Sequence, residues 1–302
     1  MKQHTNSEPD TAGYSTVRKG KHGGILLCLS ALAFSTAGIF TKSVDADAWD
    51  VIFWRGLSGT VFTLMFLYAR AGMKDEWHRF GTSALLATAL MASGTAAFIP
   101  AFKLTSVANV ALIWATAPFF SAILAWLFIK EAPSTKVVIC SGFAFIGVAV
   151  TVLGAHADGN VAGDMLALWM TLMMSATMVI YRARPKTPTK LPAAFSSIVL
   201  LPFALALSDP SQVAVAEIGV LLVFGVVFAV ASVLLAEGAR WIPSAQAALV
   251  SALETPLAPI WAVLILAEWP ANTTITGGAI IMVAVFASQA SLQSADTHHS
   301  RR

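Results

Sequence analysis

The chain has 302 residues, of which 57% are hydrophobic and 12% are charged, and its formal net charge is +3. Soluble domains carry roughly a quarter charged residues, so this composition excludes an ordinary soluble enzyme or binding module and indicates a membrane protein. The basic residues lie beside apolar segments, where insertion into a membrane accounts for them, and no nucleic-acid partner is expected.

Apolar stretches long enough to cross a ~30 Å hydrocarbon core follow one another along almost the whole chain. Most of them carry no charge, and two of them carry a single internal charge. The pattern predicts ten transmembrane helices, at 22–43, 48–71, 79–102, 106–129, 134–154, 161–183, 191–208, 214–240, 243–267 and 271–291. We therefore predict an all-α membrane protein whose ten helices surround a central cavity.

Lysine and arginine are concentrated in alternate connections between these helices. The basic connections contain Arg18, Lys19 and Lys21, then Arg70, Lys74 and Arg79, then Lys130 and Lys136, then Arg182, Arg184, Lys186 and Lys190. Since short cytoplasmic loops retain basic residues, these connections and both termini are predicted to be cytoplasmic. We expect a multi-pass protein of a bacterial-type inner membrane, with a disordered N-terminus over 1–21 and a cytoplasmic tail over 292–302.

The ten helices divide into two halves of five, over 22–154 and 161–291. Five crossings are an odd number, so a second copy enters the membrane in the opposite orientation, as in many secondary transporters. An alignment without gaps up to the prolines pairs Thr116 with Glu254, and after a one-residue gap each aligned block ends in an acidic residue, Glu131 or Glu268. Four further pairs support it: Ala101 with Ala239, Leu104 with Ile242, Ser106 with Ser244, and Pro118 with Pro256.

Glu254 is the most informative candidate for a binding residue, because it lies near the middle of the ninth predicted helix. An ionised side chain there costs at least ~2.5 to 3.5 kcal/mol unless it is paired or hydrated. Gln246 and Trp261 follow on the same stripe at helical spacing. The carboxyl group could bind a substrate amine or a coupling proton. The alternative is that it is protonated or paired inside the bundle and only stabilises packing.

Prolines occupy the middle of the fourth and ninth predicted helices, at Pro118 and Pro256, and Pro259 follows in the ninth. Each removes a backbone hydrogen bond and predicts a kink. Irregular backbone at matching positions of two halves indicates a central binding site, although these prolines could instead only shape packing.

Polar and aromatic residues of the other helices complete the predicted binding site. Thr116 and Asn109 give the first half a polar wall, and Trp114 and Trp169 lie within helices, as Trp261 does. Aromatic rings could hold an apolar group or a cation, or they could face lipid.

Two charged residues near helix ends have alternative interpretations. Arg55 lies about one turn below the outer interface in the second predicted helix, where it could bind a carboxylate or extend its side chain to the interface. Glu237 is predicted to pair with Arg240 within its helix, with a gating role as the alternative.

Catalytic and metal-binding motifs are not recognised in the sequence. The six histidines are scattered, and Cys28 and Cys140 lie in apolar stretches, where they are expected to be packing residues. We find no Walker loop and no metal-binding helix pair. We therefore expect no enzyme activity, no cofactor and no metal.

The sequence resembles the drug/metabolite transporter superfamily, in its EamA-like ten-helix branch. The resemblance is carried by AFKLTSVANVALIWATAPFFSAILAWLFIKE at 101–131, ARWIPSAQAALVSALETPLAPIWAVLILAE at 239–268, GDMLAL at 163–168, and Arg55 in FWRGL. It implies a secondary transporter, often an exporter, of amino acids or related small amine-bearing metabolites that works by alternating access. In the first helix AFSTAGIF replaces the family's frequent Trp-Gly pair. The alternatives are an importer of nutrients or vitamins with the same fold, or a membrane protein that binds or senses a ligand without transporting it.

Overall fold

The computed structural model describes residues 11–154, 161–238, 250 and 253–299. Every regular element within these ranges is a helix. Eight helices among them are long and apolar enough to cross a membrane: His22–Lys42, Ala48–Ala69, Thr82–Leu104, Val107–Ile129, Thr135–Val152, Val161–Ala183, Lys190–Leu207 and Val215–Gly238. Two shorter apolar helices are Glu254–Leu266 and Asn272–Ser288, and the start of the predicted ninth helix lies outside the described residues. The predicted multi-pass, all-helical membrane protein is confirmed.

We number the helices in chain order. They are α1 (Thr11–Ser35), α2 (Ala37–Lys42), α3 (Ala48–Ala69), α4 (Met73–His78), α5 (Thr82–Leu104), α6 (Val107–Trp114), α7 (Ala117–Ile129), α8 (Thr135–Gly154), α9 (Val161–Ala183), α10 (Lys190–Leu207), α11 (Val215–Gly238), α12 (Glu254–Leu266) and α13 (Asn272–His299). A short 3-10 turn, Pro210–Gln212, connects α10 to α11.

Two membrane crossings are interrupted in the same way, between α1 and α2 and between α6 and α7. At each break a threonine amide bonds the carbonyl three residues earlier, Thr36 to Ala33 at 3.3 Å and Thr116 to Ile113 at 3.1 Å. The two threonine hydroxyls donate to the same carbonyls, each at 2.6 Å. Such tighter bonds and hydroxyl contacts bend a helix and change the direction of the chain.

The helices α7 and α12 end in the same geometry. Lys130 and Ala267 both adopt the left-handed conformation, with φ of 58° and 52°. The following amides, of Glu131 and Glu268, then bond the carbonyls of Ala125 and Ala262. This cap satisfies carbonyls that the helix end would otherwise leave free.

The hydrogen-bond register changes one predicted alignment. The bond from Thr116 to Ile113 has its counterpart in the bond from the Leu253 amide to the Val250 carbonyl, also at 3.1 Å. Thr116 therefore corresponds to Leu253, and the predicted pairing of Thr116 with Glu254 is wrong by one residue. Matching Pro118 to Pro256 placed the one-residue gap of the alignment after the break, whereas the hydrogen-bond register places it before Thr116.

Gly38 allows α2 to pack closely against α5 and α6. A Cβ atom at this position would lie 2.6 Å from Cγ1 of Val107 and 3.0 Å from the Phe102 ring. Small residues permit such close approach of membrane helices. Cys28, by contrast, is exposed on the bundle surface and is not the packing residue that its apolar surroundings predict.

Candidate functional site

Two ion pairs lie at opposite ends of the bundle. Lys42 ends α2, Arg182 lies in the last turn of α9, and five membrane crossings separate them. Because five is an odd number, the two residues lie at opposite ends, which we name the Lys42 end and the Arg182 end.

The Lys42 end is held by Glu268, the residue that follows the left-handed cap of α12. Lys42 Nζ donates to Glu268 Oε2 at 2.7 Å, and the Val107 amide at the start of α6 donates to Glu268 Oε1 at 2.7 Å. The side chains of Lys42 and Glu268 are only 23% and 22% exposed. One carboxylate thus joins three helices in a partly buried position.

The Arg182 end is held by Glu131, which follows the equivalent cap of α7. Arg182 Nε donates to Glu131 Oε2 at 2.6 Å, and an Arg182 Nη atom makes a second bond to Glu131 Oε1. The side chains are 64% and 45% exposed. The geometry is bidentate, but solvent screens this pair more than it screens the pair at the Lys42 end.

A second set of carboxylate contacts follows the same arrangement. Glu217 in the first turn of α11 accepts bonds from the amides of Asp45 and Ala46, just before α3, at 3.0 and 3.1 Å. At the Arg182 end, Glu76 in α4 accepts bonds from the amides at the start of α10, Lys190 and Leu191, at 3.2 and 3.0 Å. The sequence analysis did not identify Glu76 or Glu217. The feature that could have identified them is an acidic residue near backbone amides at or before a helix start, since such amides have no acceptor within a helix.

Arg55 lies inside the bundle and is 9% exposed. Its guanidinium carbon is 4.3 Å from the centre of the Phe228 ring, 5.0 Å from that of Phe224 and 5.6 Å from that of Phe98. The interpretation in which this side chain extends to the interface therefore does not describe the structure. Arg55 is a buried cation enclosed by the rings of α5 and α11.

The break in the first crossing connects this aromatic cage to α12. Phe34 packs edge-on against Phe228, with ring centres 4.8 Å apart. The next residue, Ser35, accepts a hydrogen bond from the Trp261 indole at 3.0 Å. Phe34 and Ser35, two consecutive residues at the end of α1, thus connect the rings around Arg55 to Trp261.

Glu254 is the first residue of α12 and is partly buried. It lies two helical turns from Trp261, so both side chains lie on the same stripe of α12. Across the described ranges, the Glu254 carboxyl group has no hydrogen bond or ion pair. The other predicted member of the stripe, Gln246, lies outside the described residues.

Asn109 belongs to a buried polar network with Asp164, which the sequence analysis noted only within GDMLAL. The Asn109 side-chain amide donates to both Asp164 oxygens, at 3.2 and 3.3 Å, and to Thr105 Oγ1 at 3.3 Å. Thr105 donates to Asp164 at 2.7 Å, and Thr274 donates to the Asn109 oxygen at 2.7 Å. Asp164 is fully buried. The network joins α6, α9 and α13, and it occupies the groups with which Asn109 would bind a substrate.

The remaining predicted residues are dispersed. Thr116 is fully buried and uses its hydroxyl within the break between α6 and α7. Trp114 packs partly buried against the core, and Trp169 is 48% exposed, with its indole donating to Ser93 at 3.0 Å. The predicted kink and gating residues differ in exposure. Pro118 is exposed, whereas Pro256, Pro259 and Glu237 are partly buried. The predicted partner of Glu237, Arg240, lies outside the described residues.

A cleft of about 290 Å³ opens at the Lys42 end, between the segment before α3 and the end of α5. It is lined by Asp45, Ala46, Asp47, Ala48, Trp49, Pro100, Lys103 and Leu104. Lys103 Nζ donates to the Val44 carbonyl at 2.5 Å. This lysine therefore binds the backbone of the loop before α3 and not a carbonyl at the end of its own helix. Among the described residues, no group of three or more His, Cys, Asp or Glu side chains is placed to hold a metal ion.

The chain belongs to the EamA-like transporter family, whose model matches residues 21–153 and 161–288. The resemblance drawn from the sequence is confirmed, and the family indicates a membrane transporter of the drug/metabolite type. The chain is also similar to a protein of known crystal structure, with a TM-score of 0.61 and 18% sequence identity over 91% of this chain and 98% of that one. This likeness concerns the fold alone. No curated protein matches the chain.

Proposed function

We propose that the protein is a secondary transporter that exports amino acids or related small amine-bearing metabolites by alternating access between two inverted five-helix halves. The observation that carries this proposal is the reciprocal pairing of the carboxylates. Glu268 of the second half holds the first crossing of the first half through Lys42, and Glu131 of the first half holds the first crossing of the second half through Arg182. Two inverted copies that exchange equivalent contacts would produce this pattern.

The same exchange is repeated by Glu217 and Glu76, which bind the amides before α3 and at the start of α10. Each end of the bundle is thus closed by an ion pair and a carboxylate-to-amide contact that cross between the halves. Opening the Lys42 end requires the pair of Lys42 and Glu268 to separate. Opening the Arg182 end requires the pair of Arg182 and Glu131 to separate.

The two ends are held with different strength. Exposed ion pairs such as that of Arg182 contribute about 0 to 1 kcal/mol. Separating Glu268 from its partners also leaves the Val107 amide without its acceptor, which costs about 1 to 3 kcal/mol. The Arg182 end should therefore open more readily than the Lys42 end. Basic residues concentrate at the Arg182 end, which supports a cytoplasmic location for that end and loading from inside the cell.

Glu254 supports an amine-bearing substrate. A carboxyl group within an apolar helix, with no partner among the described residues, is an expected ligand for an amine or a coupling proton. The Trp261 ring on the same stripe can pack against a cation or an apolar group. We propose that Glu254 binds the substrate amine and exchanges it for a proton during the cycle.

Counterflow in proteoliposomes tests this function. Vesicles loaded with an unlabelled mixture of amino acids and polyamines should accumulate the labelled form of the substrate. Glu254→Gln should abolish exchange or its dependence on pH, whereas Asp209→Asn, which changes an exposed acid outside the membrane crossings, should leave both unchanged. Binding without exchange would favour the sensor alternative. Exchange that is identical in Glu254→Gln would contradict the role of Glu254.

A further inference from the structure

The Arg55 guanidinium is a buried cation, and among the described residues no anionic side chain pairs with it. In the described part of the chain the ion pairs are those of Lys42, Arg79 and Arg182, and none involves Arg55. None of its side-chain nitrogens donates a hydrogen bond to a described residue. A guanidinium carries five N–H donors, so this group retains its whole capacity to bind an acceptor.

The three phenylalanine rings compensate for only part of the cost of burying this charge. A ring face attracts a cation, but it accepts none of the N–H bonds that water supplies. The nearest acid in the same helix, Asp50, is also buried and has one carboxylate oxygen without a hydrogen-bond partner, yet it makes no ion pair with Arg55. Within the described ranges Arg55 therefore has no compensating anion inside the membrane, an arrangement that is typical of functional residues.

We propose that Arg55 binds the carboxylate of the transported substrate, and that Phe98, Phe224 and Phe228 hold its apolar side chain. This inference rests on the transport function proposed above and specifies its substrate class as amino acids with a free carboxylate and an apolar or aromatic side chain. A planar guanidinium matches a carboxylate in bidentate geometry, and one negative charge neutralises one buried cation.

The chemistry of the cage excludes a more highly charged ligand. A phosphate dianion needs several cationic or N–H donors, and the rings around Arg55 supply none. A bare amine would meet a like charge. A carboxylate attached to an apolar group satisfies both the guanidinium and the rings.

The Arg55 cage is linked through the end of α1 to Trp261, one of the residues proposed to contact the substrate. Phe34 contacts Phe228, and Ser35 binds Trp261, which shares its stripe with Glu254. A carboxylate at Arg55 would lie on the Phe34 side of the break between α1 and α2, and Trp261 lies on the Ser35 side.

Matched pairs of acids and amides test the inference on the purified full-length protein. L-phenylalanine, L-leucine, their amides and phenethylamine are compared as thermal stabilisers and as inhibitors of counterflow. The wild type should favour the acids over the amides by at least about tenfold, the effect of one lost charged hydrogen-bonding pair. In Arg55→Gln the ratio should fall to about one, and Arg55→Lys should give an intermediate ratio, because it keeps the charge without the bidentate geometry.

Arg70→Gln is the matched control, because Arg70 lies at the end of the same helix over the Phe66 ring at 5.6 Å but is exposed. It should keep the wild-type preference. If the wild type binds and exchanges acids and amides equally, the carboxylate site is wrong and the transport function stands. If no acid or amine binds or exchanges, the proposed function fails as well. Should Arg55→Gln not fold, the wild-type ratio alone decides.

Discussion

Lys42 and Glu268, which lie 226 positions apart in the chain, form a 2.7 Å ion pair at one end of the helix bundle. Glu131 and Arg182 form its counterpart at the opposite end. Each pair joins the residue after a left-handed helix cap to a base at the end of another crossing. The first pair is partly buried and the second is exposed, so the opening that we propose for the two ends differs in cost.

Close packing at Gly38 should make this position intolerant of a side chain. Gly38→Ala should lower the thermal melting temperature, because its Cβ would lie 2.6 Å from Val107 Cγ1. Gly219→Ala is the control, since a Cβ there meets nothing within 4 Å. The control should raise or maintain the melting temperature, as alanine favours a helix over glycine by about 1 kcal/mol. Equal effects of the two substitutions would contradict the packing argument.

The buried network around Asp164 should stabilise the fold. Asp164→Asn keeps the shape but replaces one acceptor oxygen by an NH₂ group facing the donors of Thr105 and Asn109. We expect a loss of about 1 to 3 kcal/mol, measured by melting in detergent and by faster hydrogen exchange at the start of α9. Asp209→Asn serves as an exposed control. An unchanged melting temperature would show that the network contributes little to stability.

The orientation in the membrane is tested by cysteine labelling in a background without Cys28 and Cys140. Gln212→Cys lies in the connection between α10 and α11 at the Lys42 end, and Lys186→Cys lies after α9 at the Arg182 end; both positions are exposed. An impermeant maleimide added to whole cells should label the first and not the second. The reverse pattern would place the Lys42 end in the cytoplasm.

Much of the helical organisation could be predicted because charges cannot enter the hydrocarbon core unpaired. The eight long crossings start and end within a few residues of the predicted limits, since Lys, Arg, Asp and Glu mark the ends of the apolar runs. The resemblance to the family could also be recognised, because its motifs recur in both halves in order.

The environment of Arg55 could not be predicted from its position in the helix. Phe98 and Phe224 come from distant parts of the chain, and only tertiary packing brings their rings to the guanidinium. Asn109 is the opposite case. Its position on a polar stripe indicated a substrate contact, but Asp164 and Thr274 occupy its amide. A stripe predicts which side chains share a face, and it does not identify the groups opposite them.

The predicted alignment of the two halves was wrong by one residue for a physical reason. Pro118 and Pro256 are the same residue type and were therefore aligned, but the helix breaks are defined by backbone hydrogen bonds at Thr116 and Leu253. In an alignment of two apolar helices, a one-residue gap scores equally well before or after the break. Moving the gap from after the break to before it changes the counterpart of Glu254 from Thr116 to Ala117.

The reciprocal closure of the two ends is tested most directly by cysteine accessibility in the purified protein. Ala108→Cys reports on the Lys42 end and Val179→Cys on the Arg182 end, because both positions are buried close to the ion pairs, at 4% and 7% exposure. Gln212→Cys, already exposed, controls for reagent reactivity. Glu268→Gln should increase the labelling rate at position 108 and decrease it at position 179, and Glu131→Gln should do the reverse, because each substitution shifts one two-state equilibrium. If both positions become more reactive together, or neither changes, the two ends do not open in alternation.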